Sequence, residues 1–226
     1  MTHHNIKREL SDAETVLRKE PMTTNYEKMI QKNLSGLFEK LPPDLEARLG
    51  ASKSGGGFSL QAFGEPAWFD HEKVMFRGQK DVDPKGVLVS LYAMHAGRAE
   101  IQIEPYKAFK DFPGSMPYHG AFSANSERVL IPHVNKIQEK MAEIISAFGG
   151  EAVESGDFSM LLYPFPKIAV CTIFYLADDE FPPSATALFS ANALDFMPLD
   201  GLADVAEYTS RKIIQMVAGQ GRPRHE

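Results

Sequence analysis

Residues 168–177, Ile-Ala-Val-Cys-Thr-Ile-Phe-Tyr-Leu-Ala, constrain the fold of this chain more than any other stretch. Ile168, Val170, Thr172, Ile173, Phe174 and Tyr175 are β-branched or aromatic, types that suit a pleated, packed surface. The run has no polar alternation, so the strand it predicts is covered on both faces and central in its sheet. Tyr163-Pro164-Phe165-Pro166 comes before it, and prolines cannot donate to a strand ladder, which places them at its start. Asp178-Asp179-Glu180-Phe181-Pro182-Pro183-Ser184 follows, predicting an acidic loop stiffened by proline. A second short apolar strand, residues 185–189, returns from that loop.

The remaining composition narrows the class. A chain of 226 residues, 43% hydrophobic and 24% charged, can bury the core of a globular domain. Its net charge of −6 and pI near 5.7 argue against a nucleic-acid partner, which would need clustered Lys and Arg. Cys171 is the one cysteine, so an internal disulfide framework or a multi-cysteine metal site is excluded within the chain. No apolar segment reaches the roughly 18 residues of a membrane span, and the first twenty or so residues lack an apolar signal core. The expectation is a cytoplasmic protein without a membrane partner.

Periodicity supplies the other elements. Tyr26, Met29, Ile30, Leu34, Leu37, Phe38 and Leu41 recur at helical spacing and stop at Pro42-Pro43. One further turn over residues 44–49 ends at Gly50. Gly55-Gly56-Gly57 reads as a turn, because a phosphate-binding loop would need a following helix. Strands are predicted over 58–63 and 67–76, around a turn at Gly64-Glu65-Pro66. Asp83-Pro84 starts a helix, with Asp83 as its cap and Val87, Leu88, Leu91, Tyr92 and His95 on one stripe, and Gly97 stops it. Ile101 and Ile103 alternate as a short strand, and Pro105 starts a brief helix carrying Tyr106 and Phe109. Residues 113–126 have turn residues and no period. A helix then covers 134–148, stopped by Gly149-Gly150, and the last helix follows Asp200. The fold class is α+β, a mixed and mainly antiparallel sheet with helices packed on it. Residues 1–24 are expected to form a tail or loose helix, 25–218 a single domain, and 219–226 a tail.

Two irregular, aromatic-bearing stretches are the candidate ligand-binding region. One holds Asp178, Asp179, Glu180 and Phe181, the other Tyr118 and His119, and Trp68 joins them as an aromatic able to line an apolar pocket. Carboxylates could bind a hard cation or exchange protons, and a histidine suits proton transfer near neutral pH. Histidines 71, 95, 119 and 133 have no metal-ligand spacing, so no metal site is indicated. Cys171 sits in the most apolar strand and reads as an inert thiol. No cofactor motif is present.

The stretch from Phe165-Pro166-Lys167 through Asp178-Asp179-Glu180-Phe181-Pro182-Pro183-Ser184-Ala185 to Leu188-Phe189 resembles domain-of-unknown-function family 3786, from anaerobic bacteria and archaea. Gly64 to Asp70 and Ala96-Gly97 are also similar. Ser190 and Asp200 stand where that family carries acidic residues. Fusions of some relatives to iron–sulfur modules imply anaerobic redox or one-carbon metabolism, and the resemblance supplies no catalytic residue. The expectation is a non-catalytic binding or accessory protein for a small ligand, cofactor or protein partner. The alternatives are an enzyme pairing Asp178, Asp179 or Glu180 with His119, with or without a divalent metal, and a structural subunit of a larger complex.

Overall fold

The structure, a computed structural model, describes residues 25–218. The expectations for residues 1–24 and 219–226 lie outside the described residues. Helix α1 (Asn25–Glu39) buries Ile30, Leu34 and Leu37 and ends ahead of the two prolines. Helix α2 (Leu45–Leu49) stops at Gly50, whose φ is 60° and where an added Cβ would come within 2.7 Å of the Pro166 Cβ.

The first sheet is a meander in chain order: β1 (Ser52–Ser54), β2 (Gly57–Ala62), β3 (Glu65–Phe69), β4 (Val74–Phe76) and β5 (Gln79–Asp81). Three of its connections are two-residue turns, Gly55-Gly56, Phe63-Gly64 and Arg77-Gly78, and φ is positive at both residues of each. That conformation matches the right-handed twist of the flanking strands. The turn expected at 64–66 is therefore shifted, and Glu65 and Pro66 already belong to β3. The strand expected over 67–76 is two strands. Asp70 Oδ1 accepts from the N–H groups of Glu72 and Lys73 and folds the chain back between them.

Helix α3 (Pro84–His95) begins at Asp83 as expected, but the side chain that satisfies its first turn is Asp81. Asp81 Oδ1 accepts from the N–H of Asp83 at 2.9 Å and of Gly86 at 3.1 Å. Val87, Leu88 and Tyr92 are buried, whereas His95, expected on the apolar stripe, is exposed with Met94 where the last turn runs past the core. The Tyr92 hydroxyl donates to Leu49 O at 2.9 Å and accepts from the Lys167 N–H at 3.2 Å. Its ring stacks on Phe165 at 4.6 Å.

Ile101 and Ile103 do not pair as a strand. They lie across Leu161, Ala169 and Cys171, so their alternation records a sheet face beneath them and not a ladder beside them. Pro105 does not begin a helix either; it follows a cis peptide bond, and the next helical turn is at Phe109–Asp111. Residues 113–126, expected to be an aperiodic loop, contain short turns of changing pitch: 3-10 at Met116–Tyr118, α at His119–Phe122 and π at Ser123–Glu127. The expected 134–148 helix is broken at Lys140 into α4 (Val134–Glu139) and α5 (Met141–Phe148). Helix α6 (Leu199–Ala218) buries Leu202, Val205, Thr209, Ile213 and Val217.

The second sheet comprises β6 (Lys107–Ala108), β7 (Glu151–Val153), β8 (Phe158–Phe165), β9 (Ile168–Tyr175) and β10 (Ser184–Phe189), in the order β6-β10-β9-β8-β7. The expected apolar strand is β9, and it is the middle one. One face of this sheet meets Ile137, Ile144, Phe148 and Ile213 of the helices, and the other meets the 101–106 segment. Pro164 lies inside β8, at the register shift between Leu162 and Phe165, where a ladder tolerates a missing donor. The α+β expectation holds. The strands divide into two sheets, and every described pairing is antiparallel; short return connections account for all of them except β6–β10, whose strands lie far apart in sequence. One core cluster joins them, with Phe58 and Phe69 from the first sheet and Ile168, Val170 and Phe189 from the second.

Candidate functional site

Alternation on the first sheet sends its side chains to opposite faces. Phe58, Leu60, Ala67, Phe69, Val74 and Phe76 are buried, and the α1 residue Phe38 packs 6.2 Å from Phe58 and 6.4 Å from Phe69. Ser59, Gln61, Pro66, Trp68 and Met75 lie on the other face, partly or fully exposed. Register places Ser59, Trp68 and Met75 side by side and Gln61 opposite Pro66. These side chains and Arg77 line an open cavity of about 560 Å³.

The indole is held in place. Trp68 Nε1 donates to Ser54 O at 2.8 Å, which carries the ring across β2 to β1. It lies over Gly57, where an added Cβ would come within 2.7 Å of the ring and 2.2 Å of Phe69 O. Only glycine leaves room for the ring at that position.

Arg77 is shared by two sites. It lines the Trp68 cavity on one side and a cleft beside Glu65 on the other. Its φ of 50° is left-handed, a conformation that disfavours a side chain. Arg77 Nη2 lies 2.6 Å from Glu65 Oε1, Lys212 Nζ lies 2.5 Å from the same oxygen, and Lys85 Nζ is 3.5 Å from Oε2. Burial by itself would raise the Glu65 pKa. The Lys212 hydrogen bond and the charges of Lys212, Lys85 and Arg77 outweigh it and hold the carboxyl below its ordinary value. Glu65 thus links β3, the β4–β5 turn, α3 and α6.

Asp178, Asp179, Glu180 and Phe181 are exposed. Asp178 Oδ1 accepts from the N–H of Phe181 at 2.7 Å and of Glu180 at 2.8 Å, and these bonds hold its carboxyl below the usual range. Tyr118 is exposed and His119 half-buried. His119 Nδ1, Ser115 Oγ and Ser126 Oγ are buried without a hydrogen-bond partner among the described residues. One turn on from Tyr118, Phe122 lies 6.0 Å from Phe189, at the far end of β10 from the acidic loop. Five steps along that strand span about 17 Å. The structure therefore sets the acidic loop and the 118–119 turn towards opposite ends of β10, and Trp68 on the other sheet.

Cys171 is buried, and burial pushes its thiol up to about 11, beside the Tyr106 hydroxyl. Among the described residues no group of three His, Cys, Asp or Glu side chains is placed to hold a metal ion. Sequence reasoning missed Glu65, Arg77, Lys85 and Lys212. They are scattered along the chain, and the available signal was the pair of X-Gly dipeptides that turn it at Phe63-Gly64 and Arg77-Gly78.

No described helix is long and apolar enough to cross a membrane. No match was found among curated proteins or among solved structures. The model of a family described as Domain of unknown function (DUF3786) matches residues 42–212, which take in both sheets and most of α6. That span is well over half of the chain, and the chain belongs to this family.

Proposed function

We propose that the chain is a non-catalytic binding protein that takes a small flat ligand against Trp68. The observation that carries this reading is the half-buried indole on the face of the first sheet opposite its buried side chains, within a cavity of about 560 Å³ among the described residues. Small-molecule sites commonly enclose roughly 300–1,000 Å³ of mainly apolar surface with a few polar groups. Here Trp68, Met75 and Pro66 supply the apolar surface, and Ser59, Gln61 and Arg77 supply the polar groups. The Ser54 hydrogen bond and the Gly57 seat fix the ring before any ligand arrives, which reduces the ordering cost of binding. A conjugated ring bearing one acidic group fits these features, its plane on the indole and its acid towards Arg77.

Trp68 is the one tryptophan of the chain, so intrinsic fluorescence reports this site. Native mass spectrometry of protein purified from its own host should detect a retained ligand mass, with quenched Trp68 emission that recovers when the ligand is stripped. Trp68→Ala should lose that mass while keeping the wild-type circular dichroism. Retention of the same mass by a folded Trp68→Ala variant would place the ligand elsewhere and refute the reading.

A further inference from the structure

We propose a second binding site, for a small anion presenting phosphate or carboxylate oxygens, in the cleft between the β2–β3 turn and α6. The cleft encloses about 330 Å³, with Glu65 among Phe63, Lys85, Tyr208, Arg211, Lys212 and Gln215. Its lining carries three cations and one carboxylate. That carboxylate is also unevenly used: Oε1 holds both Arg77 and Lys212, while Oε2 has Lys85 at 3.5 Å, beyond ordinary hydrogen-bond length. Arg211 lies 5.2 Å from the Tyr208 ring centroid and pairs with Glu207 at 2.5 Å, and Glu207 is not part of the lining.

Glu65 alone answers Arg77, Lys85 and Lys212, so the cluster keeps an excess of positive charge that an anion would offset. The chain as a whole is acidic, at −6, so attraction of an anion has to come from this local cluster. Lysine and arginine groups are the side chains that bind phosphate and carboxylate most strongly. Gln215 adds an amide donor and Tyr208 a hydroxyl, and the Phe63 and Tyr208 rings, 6.1 Å apart, give apolar contact for an organic body.

Two hairpin turns converge on the same place. Phe63 and Arg77 are the non-glycine residues with positive φ among those described, and they stand on the two sides of Glu65. Phe63 is kept there by its N–H bond to Pro164 O at 2.8 Å and by Phe165 at 5.1 Å. Both are first residues of two-residue hairpin turns, whose positive φ the strand twist requires, and the turns carry their side chains to either side of Glu65.

The test is titration of the full chain with inorganic phosphate, glycerol phosphate and citrate at fixed ionic strength, followed by calorimetry. Saturable binding of at least one is expected, and phosphate against citrate identifies which oxygens are preferred. Lys85→Gln and Arg211→Gln should each weaken it tenfold or more. Arg98→Gln, an exposed guanidinium 2.8 Å from Asp44, should bind as wild type. Arg211 is largely exposed, so its variant tests the site without disturbing the core. Trp68→Ala should retain anion binding, which separates this proposal from the Trp68 reading. No saturable binding of any of the three anions, or wild-type affinity in the folded Arg211→Gln variant, would overturn it.

Discussion

Glu65 shows how one residue can be central to a structure and invisible in its sequence. It sits in a Phe-Gly-Glu-Pro stretch that reads as a turn, yet three cations converge on its carboxylate. Removing one partner of a buried ion cluster leaves uncompensated charge, so the group matters more for what breaks without it than for net stabilisation. Its folded pKa is depressed below the ordinary 4.5, and linkage fixes the sign of the consequence. Glu65 contributes stability that is fully present above that value and is lost as pH falls through the lower folded value. Urea unfolding across pH 3 to 7 should therefore show wild-type stability declining below about pH 4.5, with a shallower decline in Glu65→Gln. Equal slopes for the two proteins would show that Glu65 ionisation is not coupled to folding.

Elements differed in legibility for physical reasons. Strand β9 was readable because both its faces are covered, which forces an uninterrupted apolar run. The meander was only half readable. Its turns at Phe63-Gly64 and Arg77-Gly78 lack the Asn or Asp that usually announces such a hairpin, and tertiary contacts hold them instead. The acidic loop was legible as a loop, but its distance from the 118–119 turn depends on strand pairing between β6 and β10, which no local pattern records. Trp68 was picked out as an aromatic without its cavity, because the cavity arises from register. Gly57→Ala tests that register at the level of the β2–β3 hairpin. The new Cβ would stand 2.2 Å from Phe69 O and 2.7 Å from the indole, so strand and ring must part. A loss of about 1–3 kcal/mol is expected by urea denaturation, with a red-shifted Trp68 emission. An unshifted spectrum would mean the ring does not rest on Gly57.

At the scale of the molecule, the two sheets are closed over very different stretches of chain. All of the first lies within residues 52–81, joined by neighbours in sequence. The second needs Lys107 to find Phe189, with the turns of residues 109–133 and helices α4 and α5 strung between them. Loop-closure entropy grows with separation, so contacts of the second kind form late. Pulsed hydrogen exchange during refolding should protect amides of β2 and β3 before those of Lys107 and Phe189, and simultaneous protection would contradict this order. The outer rim of β10 is therefore sealed after the first sheet. Until β6 arrives, a nascent chain carries a bare strand flank beside its most apolar segment, and Lys107 is the charged residue that β6 places along that flank.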